Sequence, residues 1–216
     1  MSGTPAKAAP RRRRKEARPQ ELTAAALAVF VEKGFSAAKL DDVAARAGVS
    51  KGTLYLYFDS KEALFKAVIQ EGVVPAIEEG EAMLENNADD PVQLLRCILF
   101  GWWERIGSTE LGGVSKLMLS EARNFPEVAA YYQEAVIQRG LNLIRTALAR
   151  GIAQGMFRPV DLEATPPVLI APLLHLTMWH HSFAACCDSN VSVESYLNTY
   201  FDLVMNGLRA PGAIRE

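Results

Sequence analysis

Residues 34–66 have the sequence GFSAAKLDDVAARAGVSKGTLYLYFDSKEALFK. Apolar residues recur at the spacing of one helical face between positions 40 and 47, and two aspartates stand in the first turn, where the helix dipole favours negative charge. Gly48 follows as a typical helix stop. Ser50 then offers a hydroxyl cap for a second helix, which we predict to extend to Phe58. The stretch therefore predicts two short helices joined by a tight turn.

The two predicted helices carry the residues that a close crossing requires. Ala44 and Gly48 are small enough to let the backbones approach, while Leu54 and Phe58 supply apolar contacts. This is the pattern of a helix-turn-helix. A third helix is expected to follow at once, because residues 59–62 (DSKE) fit a reciprocal cap in which the first residue is the capping one.

Side chains that point away from this predicted core suit a DNA surface. With Leu54 and Phe58 turned inward, a rotation of about 100° per residue leaves the side chains between them on the outer face and flanks. Their hydroxyls can reach phosphates, and their ring edges and methyl groups can touch thymine methyls in a major groove. Packing against another domain is the alternative, but aromatic residues beside Lys51 and Lys61 favour a phosphate surface.

Short motifs in this region carry a family resemblance. They are Gly34-Phe35, Asp42-Val43-Ala44, Ala47-Gly48-Val49-Ser50-Lys51-Gly52-Thr53-Leu54-Tyr55, Tyr57-Phe58 and Ser60-Lys61-Glu62-Ala63-Leu64. In this order and register they resemble the N-terminal domain of TetR-type transcriptional regulators over about residues 20–66. A single helix-turn-helix would be a weak signal, whereas an ordered set of this length is specific. Beyond residue 70 the resemblance is limited to length and an all-helical layout.

The resemblance implies a DNA-contacting role for particular residues of this chain. Those implied to lie against bases or nearby phosphates are Ser50, Lys51, Thr53, Tyr55 and Leu56, with Tyr57 and Lys61 on the DNA backbone. We add Gly52, which the periodicity places on the outer face, and Lys39. Lys39 departs from the family pattern, which usually has Thr or Ser here, so we expect Asp41 or Asp42 to replace the missing cap while Lys39 contacts a phosphate.

Charge is distributed unevenly along the 216 residues, although the net formal charge is only -2. Residues 1–66 contain thirteen Lys and Arg against seven Asp and Glu, whereas the remainder contains ten against eighteen. A basic head on an acidic body fits a nucleic-acid partner. The most apolar run, residues 168–179, is too short to span a bilayer, and no apolar segment follows the basic N-terminus. We therefore expect a cytoplasmic protein with no membrane association.

We expect an all-α fold with three regions. Residues 1–19 form a flexible basic arm that could add sequence-independent attraction to DNA or remain a solvated tail. Residues 20–66 form a three-helix helix-turn-helix DNA-binding domain. Residues 67–216 form a helical effector-binding and dimerisation domain. In it, the apolar segment 166–187 and a final helix over about 192–208 are expected to build a four-helix interface between two chains, the arrangement that the family resemblance implies.

Further helices are predicted in the body from periodicity, prolines and glycines. A helix from residue 59 to about 86 must bend or lose a hydrogen bond at Pro75. Others are expected over about 91–107, 114–123 and 126–155, with Gly112 and Gly113 in a loop.

Bulky apolar residues of the body suggest a cavity for a small molecule. The candidate ligand-binding residues are Trp102, Trp103, Leu117, Met118, Tyr132, Met178 and Trp179, with His175 as a polar contact. Each of them could equally be a simple core residue, because aromatic stripes at helical spacing usually are. The resemblance favours the ligand interpretation, since bodies of this family commonly hold an apolar effector.

Enzymatic and metal-binding interpretations have less to support them. The body's reactive groups are three histidines and three cysteines, and no known catalytic motif accompanies them. His175, His180 and His181 do not share one helical face, so we predict no metal site and no cofactor. Cys186 and Cys187 stand in an apolar stretch, where we expect them to be packed.

The sequence as a whole predicts a transcriptional repressor that binds a palindromic operator as a homodimer and is released by a largely apolar effector. Two alternatives are a protein that sequesters a small molecule and a sensor based on metal or thiol chemistry, both on the same scaffold.

Overall fold

The computed structural model describes residues 13–86, 90–184, 186–187 and 191–210, without the side chains of residues 13–18 and 86. Most of the predicted basic arm therefore lies outside the described residues. The chain divides into two compact units, with the boundary between Val68 and Ile69. Every regular element among the described residues is helical, which confirms the all-α prediction.

The first unit, which we call the head, contains four helices in its described residues, 13–68. They are α1 (Arg13–Lys33), α2 (Leu40–Arg46), α3 (Lys51–Tyr55) and α4 (Lys61–Val68). Helix α1 begins at Arg13, whereas we expected residues 13–19 to belong to a flexible arm. The physical reason is composition, because residues 13–17 are all strong helix formers and Pro19 removes one backbone donor without ending the helix.

Three aromatic rings form the centre of the head. Phe30 of α1, Phe35 of the following loop and Phe65 of α4 are fully buried. Their ring centres lie 4.9–5.2 Å apart, and the Phe30 and Phe65 rings meet edge to face, an arrangement that aromatic quadrupoles favour. This cluster fixes α4 and the loop before α2 against α1.

Helix α2 ends as predicted, whereas the cap of α4 is shifted. Gly48 has a φ of +66°, and the Val49 amide donates to the Ala44 carbonyl at 3.0 Å, which closes the turn into α3. We placed the cap of α4 at Asp59, but the Ser60 hydroxyl accepts the Ala63 amide at 3.0 Å. The two adjacent residues are both good caps, so the sequence pattern alone leaves the choice between them open.

The second unit, which we call the body, is also built from helices. They are α5 (Val74–Asn86), α6 (Pro91–Trp102), α7 (Gly112–Glu121), α8 (Pro126–Tyr132), α9 (Arg139–Ala153), α10 (Thr165–Ser182) and α11 (Val193–Leu208). Three π-helical segments interrupt the predicted long helices, at Ile69–Val73, Trp103–Gly107 and Gln133–Gln138. Caps lie where the sequence predicted helix starts, since Asp90 accepts two amides at the start of α6 and Ser192 caps α11.

The body core lies between α6, α9, α10 and α11. Representative members are Leu99, Leu148, Leu173 and Phe201, all buried in one contiguous cluster. Backbone hydrogen bonds join the loop after α9 to the end of α11, and the shortest runs from the Arg158 amide to the Leu208 carbonyl at 2.8 Å.

Gly112 and Gly113 begin α7 and do not form the loop that we predicted. A methyl group on Gly112 would lie 2.7 Å from the Gly107 carbonyl oxygen and 2.5 Å from Nε2 of His181. Glycine is therefore needed here for a close approach and not for a turn.

Candidate functional site

The outer face of α3 presents large side chains to solvent. Leu54 is fully buried, while Tyr55 is 43% exposed and Leu56 is 82% exposed. Leu56 lies just after the last helical residue, because α3 ends at Tyr55 and not at Phe58 as expected. Tyr55 and Leu56 are adjacent, so together they form a small exposed apolar patch, which makes this face a candidate interface.

Ser50 and Thr53 order the start of α3. The Ser50 hydroxyl accepts the Thr53 amide at 3.1 Å and lies 2.8 Å from the Thr53 hydroxyl. The predicted cap of α3 is confirmed. One hydrogen is used between the two hydroxyls, so the pair retains a second hydrogen that can be donated outward.

Charged residues flank α3 in ion pairs. Nζ of Lys51 lies 2.8 Å from an Asp41 carboxylate oxygen, and this hydrogen bond raises the pKa of Lys51. Asp42 lies 3.0 Å from Nζ of Lys33 and accepts the Lys39 backbone amide at 3.2 Å. These two hydrogen bonds, from Lys33 first, lower the pKa of Asp42. Asp42 thus satisfies the amide of Lys39, which is the bond that the third helical residue makes in a capping box, while the first-turn amides receive no side-chain cap from Lys39.

Three further residues of the predicted DNA surface are at least partly accessible to solvent. Lys39 and Gly52 are exposed, and Tyr57 is half-buried. Lys39 starts α2 with an extended backbone and makes no side-chain cap. The ammonium group of Lys39 can only donate hydrogen bonds, and a phosphate can only accept them, so the two are complementary.

Lys61 differs from the other predicted DNA contacts because its ammonium is turned into the head. Nζ donates to the carbonyl of Phe35 at 2.7 Å and to those of Ala38 and Ser36 at 3.2 and 3.3 Å. It also lies 4.6 Å from the centre of the Phe35 ring. An ammonium has three hydrogens, and three carbonyls accept them, so this geometry favours a role in holding the loop before α2.

The body encloses a cavity of about 360 Å³. Its walls come from α5 to α10 and from two of the π-helical segments, those at Trp103–Gly107 and Gln133–Gln138. Most lining side chains are apolar, and Gly80, Gly101 and Gly140 contribute backbone with no side chain. Cavities of this size and lining are typical small-molecule sites.

Polar side chains interrupt the apolar lining at the Ser115 and Tyr132 hydroxyls, at Arg105 and at Gln133. The hydroxyls of Ser115 and Tyr132 lie 3.0 Å apart, and both residues are buried. Burial raises the pKa of Tyr132, although the hydrogen bond from Ser115 opposes it. Nε of Arg105 donates to a Glu79 carboxylate at 2.6 Å.

The structure brings three of the eight predicted ligand-binding residues to this cavity, namely Trp102, Met118 and Tyr132. The other five, which are Trp103, Leu117, His175, Met178 and Trp179, do not line it. Trp103 and Leu117 are buried, whereas His175 and Trp179 are exposed on α10. Which of them touch a ligand stays a prediction.

Sequence reasoning missed the cavity residues whose side chains are small or polar. Ser115, Arg105 and the three glycines have no apolar signature in the sequence. Gly80 shows its role only in three dimensions, because a methyl group on it would lie 2.6 Å from the Leu143 side chain of α9. A sequence pattern cannot show which helices cross at such a position.

The two adjacent cysteines are exposed and not packed as we expected. Their Sγ atoms lie 3.4 Å apart in the turn after α10, outside the body core. The described residues contain no cluster of three or more His, Cys, Asp or Glu side chains that could hold a metal. Within the same residues, no helix is both long and apolar enough to cross a bilayer.

Two family models match the chain over the regions just described. Residues 22–68 match the model of bacterial regulatory proteins of the tetR family, and residues 95–190 match that of the AefR-like transcriptional repressor C-terminal domain. The chain belongs to the TetR family of transcriptional regulators. The head with its exposed α3 corresponds to the first model, and most of the cavity lining falls within the second.

Relatives in this family are named as regulators. The HTH-type transcriptional repressor NicS of Pseudomonas putida is 27% identical over 198 residues, which are 86% of this chain and 89% of that protein. The fatty acid metabolism regulator protein of Bacillus subtilis is 28% identical over 198 residues, covering 90% and 98%.

Solved structures share the TetR-family fold at low identity. The transcriptional regulator FadR from Bacillus subtilis in complex with stearoyl-CoA is 21% identical, with a TM-score of 0.73 over 87% of this chain and 98% of that one. A regulator from Saccharomonospora viridis in complex with choline is 20% identical, with a TM-score of 0.75 over 91% and 100%. At these identities the similarity shows the fold alone.

Proposed function

We propose that this TetR-family protein is a homodimeric repressor that binds a palindromic operator through α3 and is released by a small, largely apolar effector. Residues 20–66 would form the DNA-binding domain and residues 67–216 the effector-binding and dimerisation domain. The observation that carries the proposal is the outer face of α3, where Tyr55 and Leu56 are exposed on a helix whose inner side is fixed by the buried Leu54.

This outer face supplies both kinds of DNA contact. The apolar tips of Tyr55 and Leu56 suit thymine methyls, and the hydroxyls of Ser50 and Thr53 suit bases or phosphates. Four further residues surround them, namely Lys39, Lys51, Gly52 and Tyr57. Lys51 would leave its ion pair with Asp41 and bind a phosphate at small cost, because that pair is exposed to solvent. Lys61 is retained as a positioning residue for the loop before α2.

An exposed apolar stripe on α10 supports the homodimer. Val168, Ala171, His175 and Trp179 follow one another at spacings of three or four residues, and all four are exposed. We call this set the α10 stripe. Apolar residues exposed in a row on one helix mark a protein interface. A two-fold dimer would then present two α3 helices to half-sites about 34–36 Å apart, one turn of the duplex.

The cavity supports release by an effector. Its apolar lining suits an apolar molecule, and the FadR structure shows that the same fold can hold stearoyl-CoA. The dimer would have two conformations, one that can bind the operator and one that cannot. Release requires that the effector have a higher affinity for the conformation that cannot bind the operator. A ligand with equal affinity for both would leave operator binding unchanged.

The test is selection of duplexes from a random pool at about 150 mM salt, close to physiological ionic strength. Wild-type protein should enrich a palindromic sequence, and the Tyr55→Ala, Leu56→Ala double variant should not. Val31→Ala removes a comparable exposed apolar side chain from α1 and is the matched control, which should enrich the same palindrome. No enrichment by wild type would refute the repressor and favour a protein that sequesters small molecules.

The exposed thiols keep one alternative open, a thiol-based sensor. Cys186 and Cys187 are accessible and adjacent, so both can react with thiol reagents. The alternative requires that the Cys186→Ser, Cys187→Ser variant lose its response to the inducing compound while substitutions in the cavity leave it intact. The reverse result supports release through the cavity.

A further inference from the structure

The hydroxyl pair of Ser115 and Tyr132 is a polar element in an otherwise apolar part of the cavity. Ser115 is contributed by α7 and Tyr132 by the last turn of α8, and both line the cavity. Their exposed fractions are only 4% and 8%. Buried hydroxyl groups normally have all their hydrogens bonded, because an unsatisfied donor loses its hydration without replacement.

Counting hydrogens shows that this pair has one to spare. Each hydroxyl carries one hydrogen, and the single bond between the oxygens uses one of the two, whichever residue donates. Among the described residues, neither hydroxyl has another hydrogen-bond partner. A helical serine often donates to the carbonyl four residues earlier, but here the Leu111 carbonyl accepts the Val114 amide and no bond from Ser115. The spare hydrogen therefore needs an acceptor inside the cavity, which can be water or a bound molecule.

The acceptor that suits this pair is neutral. Burial raises the pKa of Tyr132, so the phenol remains a donor at neutral pH. Of the described residues that line the cavity, Arg105 alone has a cationic side chain, and it is paired with Glu79 in a partly exposed position. A carboxylate placed at the hydroxyl pair would be buried without a free counter-charge, which is costly.

The size of the cavity limits the ligand. At about 360 Å³ the cavity lies near the lower end of the range of roughly 300–1,000 Å³ that is usual for small-molecule sites. A compact ligand that fills it would displace the water from the hydroxyl pair.

We infer that the effector is a compact, apolar, uncharged molecule that carries a hydrogen-bond acceptor oxygen, such as a ketone, ester or ether, and that Ser115 and Tyr132 bind this oxygen. The inference rests on the proposed effector-binding function and specifies its ligand class. It makes the hydroxyl pair a determinant of specificity in a cavity whose lining is mostly apolar.

Three probes of nearly equal size distinguish the possibilities. 2-Acetylnaphthalene carries a carbonyl oxygen, 2-isopropenylnaphthalene replaces that oxygen by a CH₂ group, and 2-naphthoate carries a charged carboxylate. Binding is measured by calorimetry on the full-length protein without DNA. We expect wild type to bind the ketone about fivefold tighter than the alkene, the effect of one net hydrogen bond, and to bind the naphthoate more weakly than the ketone.

Variants then locate the preference. Ser115→Ala with Tyr132→Phe should abolish the preference for the ketone. The variant should still bind the alkene at least as tightly as wild type does, because no hydroxyl is left unsatisfied, and this also shows that the cavity is intact. The control is Ser120→Ala, because that hydroxyl donates to the Leu117 carbonyl on the same helix and does not line the cavity. Equal affinity of wild type for ketone and alkene, tighter binding of naphthoate, or no binding of either neutral probe would overturn the inference.

This outcome is independent of the repressor proposal. The calorimetric series uses no DNA, so a ketone preference without operator enrichment would leave the inference standing and refute the proposed function. Operator enrichment without a ketone preference would do the opposite.

Discussion

Lys61 shows how one side chain can have two plausible roles that only a three-dimensional structure separates. Sequence resemblance implies a phosphate contact, whereas Nζ donates to the carbonyls of Phe35, Ser36 and Ala38. The sequence could not predict this, because the carbonyls converge only after the loop before α2 has folded around Phe35. Ser50, by contrast, was predictable, because its cap depends on residues within one turn.

Replacing Lys61 with Met tests its role in the loop. Lys61→Met keeps the aliphatic stem but removes the donors, so the free energy of unfolding should fall by about 1–3 kcal/mol as the loop carbonyls lose their partner. Lys51→Met is the matched control, and loss of its solvent-exposed ion pair should lower stability much less than Lys61→Met does. Denaturant unfolding measures both. Unchanged stability of Lys61→Met together with loss of operator affinity would instead assign Lys61 to the DNA backbone.

His181 should make the stability of the body depend on pH. Its Nε2 lies 3.2 Å from the Gly107 carbonyl oxygen, and burial lowers its pKa below the usual 6.5. Between the lowered pKa and 6.5 the unfolded chain binds more protons, so stability rises with pH in this window. The contribution is fully present above about pH 6.5 and is lost as the pH falls through the lowered value.

The measurement is the free energy of unfolding at about pH 7.5 and about pH 5.5, on either side of the usual pKa of histidine. Wild type should lose more stability on acidification than His181→Gln. His175→Gln, which removes an exposed histidine from the same helix, should behave like wild type. Parallel pH profiles for wild type and His181→Gln would contradict the assignment.

At the scale of elements, the sequence predicted where helices begin and end better than how their interiors are wound. Gly34 and Gly155 end helices with φ of +79° and +72°, as their positions indicated. The helix expected over 126–155 is instead α8 and α9 separated by the π-helical segment Gln133–Gln138. Such a segment adds about one residue to a turn and leaves composition and periodicity almost unchanged on either side, so a sequence pattern hardly reveals it.

The π-helical segments help to explain why the cavity could not be predicted residue by residue. Arg105, Ile106, Gln133 and Val136 reach the cavity from two of them. Trp102 and Trp103 were both expected at the cavity because they are bulky and apolar, whereas Trp103, the first residue of a π-helical segment, lies in the body core. π-helical segments occur frequently at functional sites, which is consistent with a ligand-binding role for this region.

Two glycine substitutions test whether the start of α7 must lie close to the Gly107 carbonyl. Gly112→Ala should lower the free energy of unfolding by about 1–3 kcal/mol, because its methyl group would meet the Gly107 carbonyl oxygen. Gly140→Ala in α9 is the matched control, since its nearest neighbour is a methyl carbon of Ile77 at 3.8 Å. It should be neutral or stabilising by up to about 1 kcal/mol. Equal effects of both substitutions in thermal unfolding would refute the close approach at Gly112.

At the scale of the whole molecule, the charge distribution and apolar content of the sequence predicted a DNA-binding head and a ligand-binding body. The described residues of the basic first third of the chain form the head with the exposed α3, and those of the acidic remainder form a body with a cavity. The apolar composition of α10 indicated that it needs cover on more than one side. Which of its residues remain uncovered in the monomer required the structure, because that depends on how α6, α9 and α11 pack around it.

Charged substitutions in the α10 stripe test the dimer. Val168→Glu and Trp179→Glu each place a carboxylate where we propose that a second chain packs, so each should convert the dimer to monomer and weaken operator binding strongly. Val31→Glu, an exposed apolar position on α1, should leave the dimer intact. Sedimentation velocity measures whether each variant is a dimer or a monomer. A dimer that survives both stripe substitutions would place the interface elsewhere.

The most direct test of the proposal is whether cavity occupancy and operator binding are coupled in one molecule. Operator affinity is measured by fluorescence anisotropy with and without saturating 2-acetylnaphthalene, and affinity for the ketone is measured with and without operator. We predict that the ketone weakens operator binding by at least about fivefold and that the operator weakens ketone binding by the same factor, because coupling between two sites is reciprocal. A ketone that fills the cavity while operator affinity stays constant would contradict the proposal that this cavity controls the DNA-binding head.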